Sequence, residues 1–177
     1  MERNNLVLVL GGTGMLLPAL RSLLDREYTV IAVARQPERA GQHPRLIKLQ
    51  ADWGDPKNLA AELMAALGDE RPSRALLWIH SRYSAAVHTA LDALLATDAI
   101  VVHLCGSSSH DPRNDPVPQP YLAPRQYCRV VLGFERSCSS VTRWLTDEEI
   151  SDGALRAFDN PGSLHVVGQL DPWEDHP

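Results

Sequence analysis

Three cysteines, Cys105, Cys128 and Cys138, form an odd set without a C-x-x-C pair. Neither a disulfide framework nor a structural zinc site is indicated. No basic block occurs, and 17 Lys and Arg stand against 22 Asp and Glu, for a net charge of −5. Nucleic acid and anionic membranes are therefore poor fits as main partners. The longest apolar runs fall far short of a membrane span, and Met1-Glu2-Arg3-Asn4-Asn5 is not followed by the apolar segment of a secretion signal. There is no Gly-Lys-Ser/Thr of a Walker site and no Gly-x-Ser-x-Gly elbow, so neither reading is supported. No internal repeat or low-complexity tract is visible. What remains is a chain of 177 residues, 44% hydrophobic and 22% charged. Such a chain is expected to be one globular domain, residues 1–177, soluble and cytoplasmic.

Short apolar runs alternate with helical patterns over the first 105 residues. Leu6–Leu10, 28–34, 45–50, 75–79 and 99–104 read as strands, and unbroken apolar runs of this kind suit strands buried on both faces. Residues 14–26 repeat apolar positions at helical spacing. A helix from 55 to 67 carries Asp55 as cap, Pro56 at its first position and Gly68 after its end. A third helix is expected over 85–96. The alternation predicts an α/β fold of the Rossmann type, a doubly wound parallel sheet with its functional edge at the strands' carboxyl ends. Residues 106–124 carry five prolines and three consecutive serines and read as a long loop. Alternating residues over 127–135 and again over 141–145 predict a hairpin across 127–145. Thr146 with Glu149 is a capping-box signature for a helix from 147 to about 158, and 164–168 is a last strand.

The main chemical signal is Gly11-Gly12-Thr13-Gly14 between the first strand and the first helix. Glycines permit a tight turn and let backbone N–H groups approach a pyrophosphate, which a helix N-terminus stabilises. A glycine-rich turn is weak evidence alone and stronger at the end of a first strand. About 20 residues on, a site for NAD places an acidic residue against the ribose 2'-hydroxyl. This chain has Ala34-Arg35 there, and arginine pairs with a 2'-phosphate instead. NADP(H) is the expected cofactor, with NAD less favoured. A tight turn without ligand and a solvated surface arginine are the plainer alternatives.

On these residues the chain resembles the short-chain dehydrogenase/reductase superfamily: Leu8-Val-Leu-Gly-Gly-Thr-Gly-Met15, Val33-Ala-Arg35 and Ala51-Asp52. It looks most like small, atypical members. In these, stretches like Trp-Ile-His-Ser (78–81), Arg-Trp-Leu-Thr-x-Glu-Glu-Ile-Ser (143–151) and Val-Gly-x-Leu-x-Pro-Trp-Glu (167–174) recur. The resemblance implies that Gly11, Gly12, Thr13, Gly14, Met15 and Leu16 wrap the pyrophosphate. It sets Arg35 at the adenosine phosphate, Asp52 and Trp53 at the adenine, and Ile79, His80 and Ser81 along the riboses. Leu17 stands where the pattern's third glycine would be, which weakens the expectation of a closely packed first helix.

The resemblance also implies a serine, a tyrosine and a lysine four residues after it, acting in carbonyl reduction. Ser107 or its neighbours Ser108 and Ser109 supply the serine. Tyr121 is followed four residues later by Arg125, and Pro120 and Pro124 disfavour a helix there. Tyr127 has Val131 four residues on. The set is not intact, and a hairpin is expected where the catalytic helix would lie. If a proton is transferred, His80 is the first candidate donor and Tyr127 the second, beside Ser107. His80 also fits a plainer role, bonding backbone or ribose. His103, Cys105 and His110 lack zinc spacing, so no metal is expected. Asp147-Glu148-Glu149 suits a helix N-terminus, and the tryptophans near the C-terminus suit packing around the hairpin or an oligomer contact. Two functions stay open: an NADP(H)-dependent oxidoreductase of a small carbonyl or related substrate, or a non-catalytic NADP(H)-binding sensor or accessory protein.

Overall fold

The computed structural model describes residues 5–106, 110–118, 126–138 and 141–177. Among these, strands β1 (Leu6–Leu10), β2 (Thr29–Ala34), β3 (Leu46–Gln50), β4 (Arg74–Trp78) and β5 (Ile100–Cys105) match the five apolar runs. With β6 (Gln126–Leu132) and β9 (Leu164–Val167) they form one parallel sheet in the order β3-β2-β1-β4-β5-β6-β9. The order reverses between β1 and β4, so the crevice above these two strands is the topological switch point, where open α/β sheets bind ligands.

Helices α1 (Leu17–Asp25), α2 (Pro56–Leu67), α3 (Ser81–Leu91) and α4 (Asp147–Asp159) cover the sheet. Their starts follow local chemistry. Asp55 accepts from the Asn58 N–H at 3.1 Å to open α2, and Gly68, at φ +56°, closes it. Thr146 and Glu149 form the reciprocal capping box that opens α4. Helix α3 begins four residues before the expected Ala85. Ser81 and Arg82, which lie between the expected strand and helix, are its first turn.

Alternate strand residues supply two apolar layers. Val7, Val9, Leu76, Val102 and Leu104 pack with α1 and α4, while Leu8, Leu10, Leu77 and Val101 pack with α2 and α3. The crossovers through α2 and α3 and that from β6 to β9 advance in the same direction across the sheet, yet α4 lies on the opposite face from α2 and α3. The last crossover therefore has the opposite hand from the others, a rare arrangement for parallel strands. One consequence is that β9 exposes Leu164 and Val166 on the face α4 does not cover.

The expected hairpin over 127–145 requires correction. Residues 126–132 are the sixth strand of the main sheet, and the hairpin is the shorter pair β7 (Phe134–Arg136) and β8 (Thr142–Trp144). Gly133 divides the two: a Cβ there would lie 1.9 Å from the Gln169 carbonyl oxygen. A glycine inside a strand pattern signals such close backbone approach, and the unbroken alternation across 127–135 concealed it. The hairpin does not stand in place of a helix between β5 and β6. That connection is made by 106–125, of which 110–118 is described and contains a 3-10 turn, Pro112–Asn114.

Candidate functional site

Two adjoining cavities open at the carboxyl ends of the strands. The glycine-turn cavity, about 500 Å³, is lined by Gly11, Thr13, Gly14, Met15, Ala34, Arg35, Gln36, Arg39, Trp53, Trp78 and His80. The hairpin cavity, about 530 Å³, takes its walls from β4, β6, β8 and α4 and shares Met15, Trp78 and His80 with the first.

The three glycines of the turn have separate tasks. Gly11 has φ +82° and donates its N–H to the Val33 carbonyl at 3.1 Å, tying the turn to β2. A Cβ on Gly12 would lie 2.8 Å from Val9 Cγ1 and 2.9 Å from Leu20 Cδ1. Gly12 thus gives α1 its close seat on β1, the task expected of the glycine that Leu17 replaces. A Cβ on Gly14 would meet nothing within 4 Å, so this glycine faces the cavity. No side chain caps α1 and its first turn carries no acidic residue, which leaves a helix N-terminus suited to an anion. Ser151 of α4, almost fully buried, donates to the Met15 carbonyl at 2.8 Å and fixes the far end of the turn.

Arg35 and Arg39 both reach the glycine-turn cavity, Arg39 from the 3-10 turn Pro37–Ala40. Its described lining includes no Asp or Glu, so no carboxylate there neutralises the two guanidinium groups. Trp53 lines it as expected. Asp52 does not: its carboxylate is turned to the Gly54 N–H at 2.8 Å. Leu16 also leaves the expected set as a side chain, being fully buried in the core beneath α1.

On the other side of the cleft His80 is exposed at the cap of α3, its ring 5.9 Å from that of Trp78 and 6.0 Å from that of Trp53. Ser81 lines the hairpin cavity. Ile79 turns away into the α2/α3 core and borders a small third cavity of about 200 Å³. Ser107, together with Ser108 and Ser109, lies outside the described residues.

Tyr127 is not brought to the cleft. It pairs in register with Val101 near the start of β5, five residues before Leu132, which does line the hairpin cavity; that is about 16 Å along a strand. Its hydroxyl lies 2.7 Å from His103 Nδ1, and the His103 ring meets the buried His88 edge-on at 4.5 Å. Burial, aided for His88 by the adjacent His103 and for His103 by the Arg129 guanidinium, lowers His88 to about 2 and His103 to about 3. Burial likewise pushes the Cys105 thiol up to about 12. The group holds neutral rings and a neutral thiol at pH 7, and none of its members lines either of the two cleft cavities. No set of three or more His, Cys, Asp or Glu that could hold a metal occurs among the described residues, and no described helix is long and apolar enough to cross a membrane.

Several cleft residues were given no site role: Leu132, which lies in no motif, and Trp78, Trp144, Leu145 and Ile150, which lie within the recurring stretches 78–81 and 143–151. An aromatic residue closing a strand opposite a glycine, as Trp78 does opposite Gly11, was the available signal. The segment 143–151 has a structural explanation. Arg143 forms a two-pronged ion pair with Glu149 at 2.8 Å, and this holds Glu149 near 2 while its other contact accepts from the Thr146 N–H. The hairpin is braced by the C-terminal segment, where Trp173 stacks on His176, His176 approaches Trp144 and Arg136 pairs with Asp175.

No protein-family model matches the chain, and no curated protein matches it in sequence. Solved structures do. A short-chain dehydrogenase/reductase of the glucose/ribitol type from Brucella melitensis superposes with a TM-score of 0.67 at 12% identity, over 94% of this chain and 96% of that one. A carbonyl reductase from Pseudomonas aeruginosa gives 0.61 at 18% identity, over 97% and 98%. A short chain dehydrogenase from Burkholderia cenocepacia, solved in complex with NADP, gives 0.63 at 16%, over 93% and 88%. The fold is that of the short-chain dehydrogenases. The motif resemblance holds at this level, and the chain spans nearly the full length of these structures.

Proposed function

We propose that the cleft binds NADP(H) and that the protein is an oxidoreductase of a small carbonyl or related substrate with a non-standard proton donor. The observation that carries the reading is the glycine-turn cavity itself: Arg35 and Arg39 at the end of β2, no carboxylate in the described lining, and a glycine turn leading into an uncapped helix. Two guanidinium groups without an anionic partner in the cavity suit a 2'-phosphate. Gly11, Thr13, Gly14 and Met15 would hold the pyrophosphate, Trp53 the adenine, and His80 and Ser81 the ribose on the far side. The bound cofactor would supply or accept hydride.

His80 is the proposed proton donor, as the histidine bordering both cavities. The hairpin cavity gives the substrate an apolar enclosure from Leu132, Trp144, Leu145 and Ile150, with Arg82 and Asp147 as its charged groups. A second reading, a non-catalytic NADP(H)-binding sensor or accessory protein, is favoured by one observation. The chain's two lysines, Lys48 in β3 and Lys57 in α2, line neither cavity, and no tyrosine is among the described residues that do.

The test is calorimetric titration with NADPH, followed by a panel of carbonyl and imine compounds monitored by loss of NADPH absorbance, with His80→Ala alongside. Turnover at saturating NADPH that falls about a hundredfold or more in His80→Ala supports the first reading. Tight binding without turnover across the panel supports the second. No binding of NADPH overturns both.

A further inference from the structure

Trp78 occupies an unusual place in the cleft. It is the last residue of β4, at the switch point, and it borders both cavities. A Cβ on Gly11 would lie 3.2 Å from its Cβ and Cδ1, while a Cβ on Gly106 would lie 3.5 Å from its Cη2. The indole therefore reaches from the end of β1 to the end of β5, and glycine stands at both ends of it. Its buried portion packs against the core cluster beneath α1 and α4. With Met15 and His80 it forms the waist between a cationic cavity and one walled largely by apolar side chains.

An extended two-headed ligand anchored at Arg35 must cross this waist to enter the hairpin cavity. A flat ring that arrives there meets an indole already held at both ends, so stacking on it costs no side-chain ordering. The ring quadrupole attracts positive charge at its face, which sets the oxidised pyridinium apart from the neutral dihydropyridine. We infer that Trp78 is a positioning residue, a stacking platform for the nicotinamide ring that holds the oxidised cofactor more tightly than the reduced one. This rests on the NADP(H) reading above and adds to it a specific residue and a redox preference.

The test compares 2',5'-ADP, which has only the adenosine end, with NADP+ and NADPH on wild type, Trp78→Phe and Trp78→Ala. The expected result is unchanged 2',5'-ADP affinity in all three proteins. NADP+ affinity falls about tenfold in Trp78→Ala and by less in Trp78→Phe, and NADPH affinity falls less than NADP+. NADP+ affinity within twofold of wild type in Trp78→Ala, with 2',5'-ADP still bound, overturns the inference. So does a parallel loss of all three ligands in both variants, which would make Trp78 a packing residue only, and so does an equal loss of NADP+ and NADPH. If wild type binds none of the three, the NADP(H) reading itself has failed and the inference falls with it. That outcome is distinct from the others, because they all require binding to wild type.

Discussion

The two cavities of the cleft are built by different parts of the chain and in different ways. The glycine-turn cavity draws on the ends of β2 and β4 and on the turns that follow β1, β2, β3 and β4, all from the regular half in which sheet and helices alternate. The hairpin cavity takes half of its lining, from Leu132 to Ile150, from β6, β8, α4 and the residues that join them, in the half where the crossover changes hand and a hairpin intervenes. The first is cationic, and its glycine turn is tied to β2 at Val33 and to α4 at Ser151. The second is walled largely by apolar side chains and brings together Met15, Trp78, Leu132 and Ile150 from segments distant in sequence. On the NADP(H) reading proposed above, the cofactor side of the crevice is the one built by the regular half.

The largest expected effect separating these regions is acid sensitivity around the β5–β6 side of the sheet. His88 and His103 are neutral in the folded protein, their values lowered from 6.5 to about 2 and about 3. Between those values and 6.5 the unfolded chain binds protons that the folded one refuses, so stability must fall as pH drops below 6.5. At pH 5 the loss is about 2 kcal/mol for each imidazole. Urea unfolding from pH 8 to pH 5 should show it, and His103→Gln should make the pH slope about half as steep. A pH-independent stability over that range would mean that the two rings are not held neutral.

A smaller effect distinguishes two glycines only two residues apart. Gly12→Ala forces a methyl against Val9 and Leu20 and is expected to cost about 1–3 kcal/mol in denaturant unfolding. Gly14→Ala has open space and should leave stability unchanged while weakening NADPH binding. Equal destabilisation by both would contradict the division of labour between core and cavity.

The regular half was legible in the sequence because its signals are local. Unbroken apolar runs, Asp55-Pro56 and Gly68 around α2, and the glycine turn each state their structure within a few residues. Thr146 and Glu149 did the same for α4. The hairpin limits were not legible, because Gly133 is required by the Gln169 carbonyl 36 positions later. Tyr127 was misplaced for a related reason. Its strand was recognisable, but its level along the sheet depends on register with β5, which no local pattern encodes. Asp52 and Leu16 were assigned by motif position, and side-chain direction then placed one on the Gly54 N–H and the other in the core.

The central claim, that the glycine-turn cavity selects a 2'-phosphorylated dinucleotide, is tested most directly by calorimetric titration of wild type and Arg35→Asp with NADPH and NADH. The account predicts that wild type binds NADPH at least about tenfold more tightly than NADH, as loss of a charge-assisted contact would give. Arg35→Asp should abolish that preference. Equal affinity of wild type for the two dinucleotides, or an Arg35→Asp protein that keeps the preference, would contradict it.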